Sequence, residues 1–576
     1  MYGGLILTIL FALLSSQMIK VVPLSDQVKA RLRHRIETTG IPLDRPVQAE
    51  LVYESEMVPL FYQQRSYQPA WSDETGRPFS RVSVLLQEIR NGDQEGLDPE
   101  IYHLTKIQGL LSQLNRSAAD KLYVERLVDL DLLLTDAFFF YSSHLLTGRL
   151  KREVLNPDWI SDRVEANLIP ALQSAVTQDR VGETLRSFLP PQPGYRTLKS
   201  ALARYRKIAQ AGGWPVLPPG PKIRKGDRDA RVPTLRSRLQ IEGDLRLQPD
   251  EDADPMDDLM DEAVEAALRN FQRRNGLDVD GILGTATPAQ LNVPAQERVR
   301  QLELNLIRWH WLPREMGQQY IVVNIAGFDL RLFQNQRAEI DMRVIVGKPT
   351  WRTPIFSDII SALVLSPHWN VPASIARGEM IPLLRKDPGY FARHNIRVFQ
   401  NQGAGSREID PTTLDPSQIT SSARSYSFLQ EHGPKNALGR VKFQFAKHPG
   451  IHLHDTPART LFQRSMRALS HGCIRIEKPL DLAEYLLRTD PKWTRTEILR
   501  ATERSVEETV RLPNPIAVHV VYFTAWQDEN GTVHFRGDSY GHDERMKRIL
   551  REEPGICENT TNPQRLEYAS DSRLTR

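Results

Sequence analysis

Two short motifs lie close together in the C-terminal half of the chain: His452-Leu-His-Asp-Thr-Pro457 and, twelve residues later, Ser470-His-Gly-Cys-Ile-Arg475. Together they hold three histidines and one of only two cysteines in the chain. A cysteine becomes a nucleophile when a nearby base takes its proton. His454 lies 19 positions before Cys473, which suits two neighbouring strands and is too long for one helix face. Gly472 allows close approach, so the backbone N–H groups beside Cys473 are candidates for an oxyanion hole.

The residue types alone leave three interpretations of this stretch open. A single cysteine is often a small buried hydrophobic residue. Three histidines and a cysteine are also the ligand types of a zinc site. The third interpretation is the nucleophile with its base, and neither composition nor spacing decides among them.

A longer pattern around the cysteine favours the nucleophile. The run Leu-His454-Asp-Thr-Pro, followed by Arg-Ala-Leu-Ser-His-Gly-Cys473-Ile-Arg, resembles the signature of the L,D-transpeptidases, the YkuD-type cysteine enzymes of bacterial peptidoglycan. The resemblance implies that Cys473 is the nucleophile, that His454 is the general base and acid, and that Gly472 supplies an oxyanion-hole N–H. It allows a standing thiolate–imidazolium pair, and it implies neither a metal nor a cofactor.

The same resemblance implies supporting roles for the neighbouring residues. The backbone carbonyl of Asp455 would orient the base, and His471 would support the nucleophile loop. Arg475 would either hold that loop or bind a substrate carboxylate. Residues expected to order the site or bind substrate are Ser470, Thr456, His452 and Asn436. His452 and Glu477 depart from the family pattern, where Tyr and Asn are more common.

Composition sets the class of protein. With 576 residues, 40% hydrophobic and 25% charged, the chain is an ordinary globular protein of several domains. A net charge of +4 gives no reason to expect nucleic-acid binding. Two cysteines, Cys473 and Cys557, exclude a disulfide framework.

The N-terminal segment 1–22 is apolar and predicts an export signal, either a cleaved signal peptide or an uncleaved membrane anchor. No basic residue precedes the apolar run, and no clear cleavage site follows it. We therefore expect a periplasmic or cell-envelope protein with possible membrane anchoring through this segment.

The chain before the cysteine stretch divides into a helical region and a small module. Apolar residues recur at helical spacing in residues 23–220, and this region resembles the scaffold of the large multidomain L,D-transpeptidases. After the proline-rich linker 215–221, residues 221–294 resemble a three-helix peptidoglycan-binding module. An acidic run, 250–262, is predicted to be a solvated loop entering a helix N-terminus rather than a calcium site. Residues 295–318 predict a helix that returns to the scaffold.

The fold class that follows is a multidomain α+β protein. The catalytic domain, 319–550, is expected to be mostly β and YkuD-like, as a sandwich or barrel of short strands. Strand 517–523 is expected to form a hairpin with Val533–Phe535 around Asp528–Gly531. The insertion 374–435 lacks sustained periodicity and is predicted to be a lid over the cleft. A disordered tail is expected at 551–576.

The function implied by the resemblance is L,D-transpeptidation, which forms 3→3 cross-links between stem peptides with release of the terminal D-Ala. Peptidoglycan is the expected partner, and carbapenem-type β-lactams are the expected inhibitors. Two alternatives remain: an L,D-carboxypeptidase or endopeptidase on the same fold, and a non-catalytic wall-binding protein.

Overall fold

The computed structural model describes residues 22–39, 52–115, 122–150, 167–246, 257–402, 405–410 and 426–552. The signal segment, the first part of the acidic run, Cys557 and nearly all of the predicted tail lie outside these residues. In the described parts of the chain, no helix combines the length and apolar character that a membrane span requires. The described residues form two compact units, one of residues up to 149 with 167–189, the other of residues 190–552 with Leu150.

The first unit is all helical, as the periodicity predicts. Its helices surround α5, most of which is buried. The buried Asp131 on α5 accepts hydrogen bonds from the Tyr62 hydroxyl at 2.5 Å and the Ala70 N–H at 2.9 Å, so a polar core contact fixes the packing. The helices α1 to α7 are Leu24–His34, Val52–Gln64, Ser80–Arg90, Leu104–Leu114, Tyr123–Thr147, Leu168–Thr177 and Val181–Ser187.

The second unit begins with five helices, of which the middle three form the predicted small module. Asp261, from the end of the acidic run, caps α10 by accepting a hydrogen bond from the Val264 N–H at 2.8 Å. The buried residues Val232, Leu235, Leu268 and Phe271 fill the module's core. The helices α8 to α12 are Pro193–Gln210, Val232–Glu242, Glu262–Arg274, Ala286–Leu291 and Ala295–Trp309. Helix α12 packs along α8, the helix that ends the predicted scaffold segment.

A nine-stranded sheet follows, and it closes into a barrel because β2 (Asp329–Gln334) pairs with both β1 (Gln319–Asn324) and β3 (Arg337–Gly347). The strand order is β11-β3-β12-β10-β9-β4-β13-β1-β2. These strands are β1 Gln319–Asn324, β2 Asp329–Gln334, β3 Arg337–Gly347, β4 Phe356–Leu365, β9 Val441–Phe445, β10 His452–His454, β11 Ala468–Ser470, β12 Ile474–Ile476 and β13 Glu508–Val521. Alternate residues point into an apolar core, so the other residues of each strand face outward. The remaining helices of this region are α16 Pro479–Leu487, α17 Arg495–Glu503 and α18 His542–Glu552.

The predicted hairpin near the C-terminus has a different first strand. Val533–Phe535 (β15) pairs with Ala525–Gln527 (β14), and Asp528 closes the turn by accepting hydrogen bonds from the backbone. Strand β13 instead lies between β4 and β1, in parallel with β1. The pairing of 517–523 with 533–535 was therefore wrong, because a parallel partner two hundred residues away leaves no local sequence signal.

The insertion is a folded subdomain rather than an aperiodic loop. Its four-stranded sheet has the order β5-β8-β6-β7, and its own apolar core includes Met380, Leu384, Phe391 and Phe428. The elements are β5 Trp369–Asn370, α13 Ala373–Ile375, a π-turn Ala376–Met380, α14 Ile381–Lys386, α15 Tyr390–Arg393, β6 Ile396–Gln402, β7 Gly405–Ile409 and β8 Tyr426–Gln430. Each is too short for periodicity to show in the sequence.

Candidate active site

Three adjacent strands bring the cysteine stretch together. Strand β10 lies between β9 and β12, and its parallel register with β12 pairs Leu453 with Ile474 and His454 with Arg475. Leu453 and Ile474 are fully buried in the barrel core. Strand alternation therefore places His454, Arg475 and Cys473 on the opposite face of the sheet, together with His452.

The thiol of Cys473 is half-buried in the structure. Its Sγ atom lies 3.9 Å from the carbonyl oxygen of Gly450, a weak acceptor for the S–H. Burial raises the pKa of this thiol, against the opposing effects of a hydrogen bond from the His452 backbone and the charges of Arg475 and Lys442. The directions of these effects favour a neutral thiol over the standing thiolate that the resemblance allows.

His454 is buried and held in one orientation. Its Nδ1 atom lies 2.5 Å from the carbonyl oxygen of Asp455, so the Nδ1–H donates there and Nε2 keeps its lone pair. Burial, with the nearby Arg475 guanidinium, lowers the pKa of His454 to about 3. The imidazole is therefore neutral at physiological pH and able to accept a proton through Nε2.

The nucleophile loop is shaped by a glycine and a serine. Gly472 has a φ of +109°, a conformation that side-chain-bearing residues rarely adopt. Its N–H donates to Ser470 Oγ at 3.2 Å, while that hydroxyl donates to the Cys473 carbonyl at 2.5 Å. The Gly472 N–H, expected to be an oxyanion donor, is thus already engaged in this conformation.

A second set of hydrogen bonds holds this loop from outside the motif. Thr353 Oγ1 donates to the Gly472 carbonyl at 2.7 Å and accepts from the Gly347 N–H at 2.9 Å. The Tyr540 hydroxyl donates to the Gly347 carbonyl at 2.5 Å and accepts from the Thr353 N–H at 3.2 Å. We did not predict Thr353 or Tyr540, because neither lies near the motif in sequence.

The insertion contacts the nucleophile loop through His471. Its Nε2 atom lies 2.6 Å from Glu379 Oε1, and Lys348 Nζ lies 3.4 Å from the same oxygen. Burial alone would raise the pKa of Glu379, but the contacts with His471 and Lys348 outweigh it and lower that pKa. His471 is thereby tied to the insertion rather than aimed at Cys473 as a base.

Two cations lie on the catalytic face without carboxylate partners among the described residues. Arg475 Nε is buried and makes no hydrogen bond there, and burial lowers the pKa of its guanidinium. Lys442 is paired with His454 across strands β9 and β10, and we did not predict it. The alternation of buried Val441 and Phe443 with Lys442 would have placed it on this face. His452 Nδ1 is also buried without a partner in the described parts of the chain, and burial lowers the pKa of His452 to about 4.

The other predicted site residues are used inside the fold. The Asp455 carboxylate accepts from the Arg440 N–H at 2.9 Å and from Arg459 at 3.0 Å. Thr456 Oγ1 accepts from the Ala458 N–H at 3.2 Å, which closes a turn. Asn436 is buried, and its amide donates to the carbonyls of Pro367, Gln430 and Glu431 at the base of the insertion. This position is a correction to its expected contact with substrate, since its N–H groups have no donor capacity left.

Comparison with known families identifies three domains in this order along the chain. Residues 56–202 match a scaffold domain, residues 228–291 match the family described as "Putative peptidoglycan binding domain", and residues 318–498 match the L,D-transpeptidase catalytic domain of the YkuD family.

Individual relatives agree with that assignment. The chain is 36% identical over 228 residues to a protein from Haemophilus influenzae named "Putative L,D-transpeptidase", an alignment that covers 39% of this chain. The chain spans 45% of that curated relative's length.

Solved structures of L,D-transpeptidases are more distant. The enzyme from Xylanimonas cellulosilytica is 13% identical, with a TM-score of 0.16, over 53% of this chain and 98% of that one. L,D-transpeptidase 3 from Mycobacterium tuberculosis, solved with a faropenem-derived adduct, is 12% identical with a TM-score of 0.17, over 35% of this chain and 60% of that one.

Proposed function

We propose that this chain, a multidomain protein with a YkuD-type L,D-transpeptidase catalytic domain, forms 3→3 cross-links in peptidoglycan through an acyl-enzyme on Cys473. The observation that carries the proposal is the shared face of β10 and β12. There a neutral His454, oriented by the Asp455 carbonyl, stands on the strand beside the Cys473 thiol.

The first half-reaction acylates the cysteine. His454 Nε2 takes the thiol proton as Sγ attacks the carbonyl carbon of the third, diamino acid residue of a tetrapeptide stem. The C–N bond to the terminal D-Ala breaks, and the proton on His454 passes to the departing amine. No hydrogen bond joins Cys473 to His454 among the described residues, so the thiol turns from Gly450 toward the base when substrate binds.

The second half-reaction transfers the acyl group to an amine. The side-chain amine of a second stem attacks the thioester carbonyl, and His454 takes its proton. The C–S bond breaks and the proton returns to sulfur, which regenerates the thiol. The oxyanion of both steps is bound by backbone N–H groups of the loop, with the Gly472 N–H released from Ser470 as the carbonyl oxygen arrives.

Substrate charge is matched by the unpaired cations. A stem peptide carries several carboxylates, whereas neither Arg475 nor Lys442, which face the site, forms a salt bridge with a described carboxylate. We assign Arg475 to a substrate carboxylate, because its guanidinium makes no contact that would hold the loop. The remaining polar residues have structural roles. Ser470 holds the loop, Thr456 closes a turn, and Asn436 binds the base of the insertion.

The other parts of the chain suit an enzyme that acts on the cell wall. The module of residues 228–291 would hold the enzyme on glycan strands, and the insertion would cap the bound stem through its contact with His471. Export by the N-terminal segment, with or without membrane anchoring, would place the enzyme in the periplasm. A thiol that opens a stem amide bond would also open the strained ring of a carbapenem and remain as a thioester.

The test is mass spectrometry of products after purified protein is incubated with tetrapeptide-containing muropeptides. Cross-linked dimers with loss of D-Ala, absent with Cys473→Ala, support the proposal. Tripeptides without dimers would show that water is the acceptor and that the enzyme is an L,D-carboxypeptidase. If neither dimers nor tripeptides form, the proposal that the protein acts on these stems is refuted.

A further inference from the structure

A cluster of two histidines and two glutamates lies at the base of the insertion, outside the set described around Cys473. His368 directly precedes β5, and Glu431 directly follows β8. Because Trp369 pairs with Gln430, His368 and Glu431 are the next positions of the same antiparallel pair. His432 follows Glu431, and Glu507 lies just before β13.

The ligand-type atoms of this cluster converge on one point. Glu431 Oε2 lies 3.1 Å from His368 Nε2 and 3.9 Å from His432 Nε2. The ligand atoms of His368, Glu431 and His432 all lie within 4.8 Å of one another. A tetrahedral zinc ion with bonds of about 2.0–2.2 Å separates its ligands by about 3.4 Å, so small side-chain adjustments would suffice.

The surrounding contacts leave these atoms available. Arg397 donates to Glu431 Oε1 at 2.8 Å, so the other oxygen, Oε2, is the one that faces the two histidines. Glu507 Oε2 lies 3.6 Å from His368 Nδ1 and accepts from the His368 N–H at 2.8 Å. A carboxylate behind a histidine in this way orients the ring so that Nε2 faces a metal.

His432 gives a second, independent reason. Its ring makes no hydrogen bond to any described residue, and its Nδ1 atom is buried. Its side chain is 15% exposed, so the ring has lost most of its water, and its contacts are the His368 ring, with centroids 4.4 Å apart, and Glu431. A metal ion bound to Nε2, the ring nitrogen that lies 3.9 Å from Glu431 Oε2, would give this ring a polar partner.

We propose that His368, Glu431 and His432 bind a divalent transition metal, with Zn²⁺ as the best match for two imidazoles and a carboxylate and with water in the fourth position. The ion joins the two chain segments by which the insertion enters and leaves the barrel. It would therefore fix the orientation of the insertion, a role separate from the chemistry at Cys473.

The experiment uses the untagged full chain with Cys473→Ala and Cys557→Ala, so that no thiol competes for zinc. Calorimetric titration with Zn²⁺ after dialysis against a chelator should give one equivalent bound per chain. Glu431→Gln and His432→Gln should each weaken that affinity at least tenfold, since each removes one of three protein ligands. His394→Gln, a histidine of the insertion outside the cluster, should leave it unchanged.

Hydrogen–deuterium exchange supplies a readout that does not depend on the substitutions. Zn²⁺ should slow amide exchange in β5 and β8 and leave β1 and β2 unaffected. The proposal is overturned if the thiol-free chain binds no stoichiometric Zn²⁺, if both cluster variants bind as tightly as their parent, or if protection appears elsewhere than in β5 and β8.

Discussion

The second unit buries charged side chains in two regions, the three-helix module and the catalytic face. The regions differ in whether those charges form salt bridges. In the three-helix module, Glu242 is fully enclosed and contacts Arg238, Arg274 at 2.7 Å and the Tyr205 hydroxyl at 2.6 Å. On the catalytic face, the buried Nε of Arg475 makes no hydrogen bond, and no carboxylate of the described residues forms a salt bridge with its guanidinium.

The electrostatics of the two regions reflect that difference. Burial would raise the pKa of Glu242, but Arg274 and Arg238 outweigh it and hold that pKa well below its usual range. Burial lowers the pKa of Arg475, and the more distant charges of Cys473 and Glu379 do not outweigh it. Burial also lowers the pKa of His454, and the nearby Arg475 guanidinium lowers it further. Satisfied charges of this kind specify a fold, whereas unsatisfied ones are available to a ligand.

The largest expected effect is the loss of turnover in Cys473→Ala, because no other described group near His454 can form the acyl-enzyme. The free energy of unfolding should change by no more than about 1 kcal/mol, as for a small half-buried side chain. Product assays measure the loss of turnover, and urea unfolding measures the change in stability. Residual turnover, or loss of turnover in the control Cys557→Ala, would contradict the assignment of the nucleophile.

Glu242→Gln should lower stability and spare catalysis, the opposite of what we expect for Cys473→Ala. It leaves Arg238 as an uncompensated buried charge and Arg274 with Asp244 as its remaining carboxylate partner, and we expect the free energy of unfolding to fall by about 3–5 kcal/mol. Carbapenem acylation of the folded fraction should persist. Urea unfolding is the measurement, and Glu497→Gln in the exposed pair with Arg500 is the control that should change little. A stability equal to that of the parent would show that the module does not depend on its paired charges.

Arg475→Gln should impair turnover and spare stability. We expect kcat/KM for a tetrapeptide stem to fall 10- to 100-fold, or about 1.4–2.7 kcal/mol of transition-state binding, with an unchanged unfolding free energy. A stem amidated at its carboxylates should not distinguish the variant from the parent. If stability fell instead, Arg475 would be holding the loop.

The pH dependence of thiol alkylation tests the resting state of the site. Since burial raises the pKa of Cys473, iodoacetamide labelling should keep increasing above neutral pH without a plateau there. Arg475→Gln removes a charge that favours the thiolate, so its profile should move to higher pH. A plateau near neutral pH would indicate a standing thiolate–imidazolium pair.

Glu379→Gln should have the smallest effect. Loss of the charged contact with His471 should slow peptide turnover about threefold, or about 0.7 kcal/mol, as for other partly exposed ion pairs. Carbapenem acylation should change less, because ring strain replaces some of the orientation that the insertion provides. Parallel loss of both rates in steady-state and intact-mass assays would mean that Glu379 shapes the catalytic centre itself.

The sequence predicted the parts of this molecule that depend on local patterns. The helical periodicity of residues 23–220 agrees with the helices α1 to α8 in the described part of that region, since periodicity is a local signal. The second strand of the hairpin was right and the first was wrong, because β13 pairs with a distant strand. The bonds between Gly472 and Ser470 depend on loop geometry, which no spacing reveals.

The charge state of the site could not be predicted from the sequence. The motif pointed to Cys473 and His454, but whether the pair is ionised depends on burial and on cations brought in by other strands. Alternation in β9 predicts which face Lys442 takes, but not that β9 pairs with β10. No local pattern places Glu379 of the insertion beside His471.

The chain of hydrogen bonds from Tyr540 through Thr353 to Gly472 has a consequence for the order in which the protein is made. Tyr540 and the whole of β13 follow the cysteine motif, and β13 fills the gap between β4 and β1. A growing chain that has already produced Cys473 therefore lacks both the strand that closes the barrel and the hydroxyl that steadies Gly347. Pairings between such distant segments form slowly, so the nucleophile should become reactive only when nearly all of the described chain is complete.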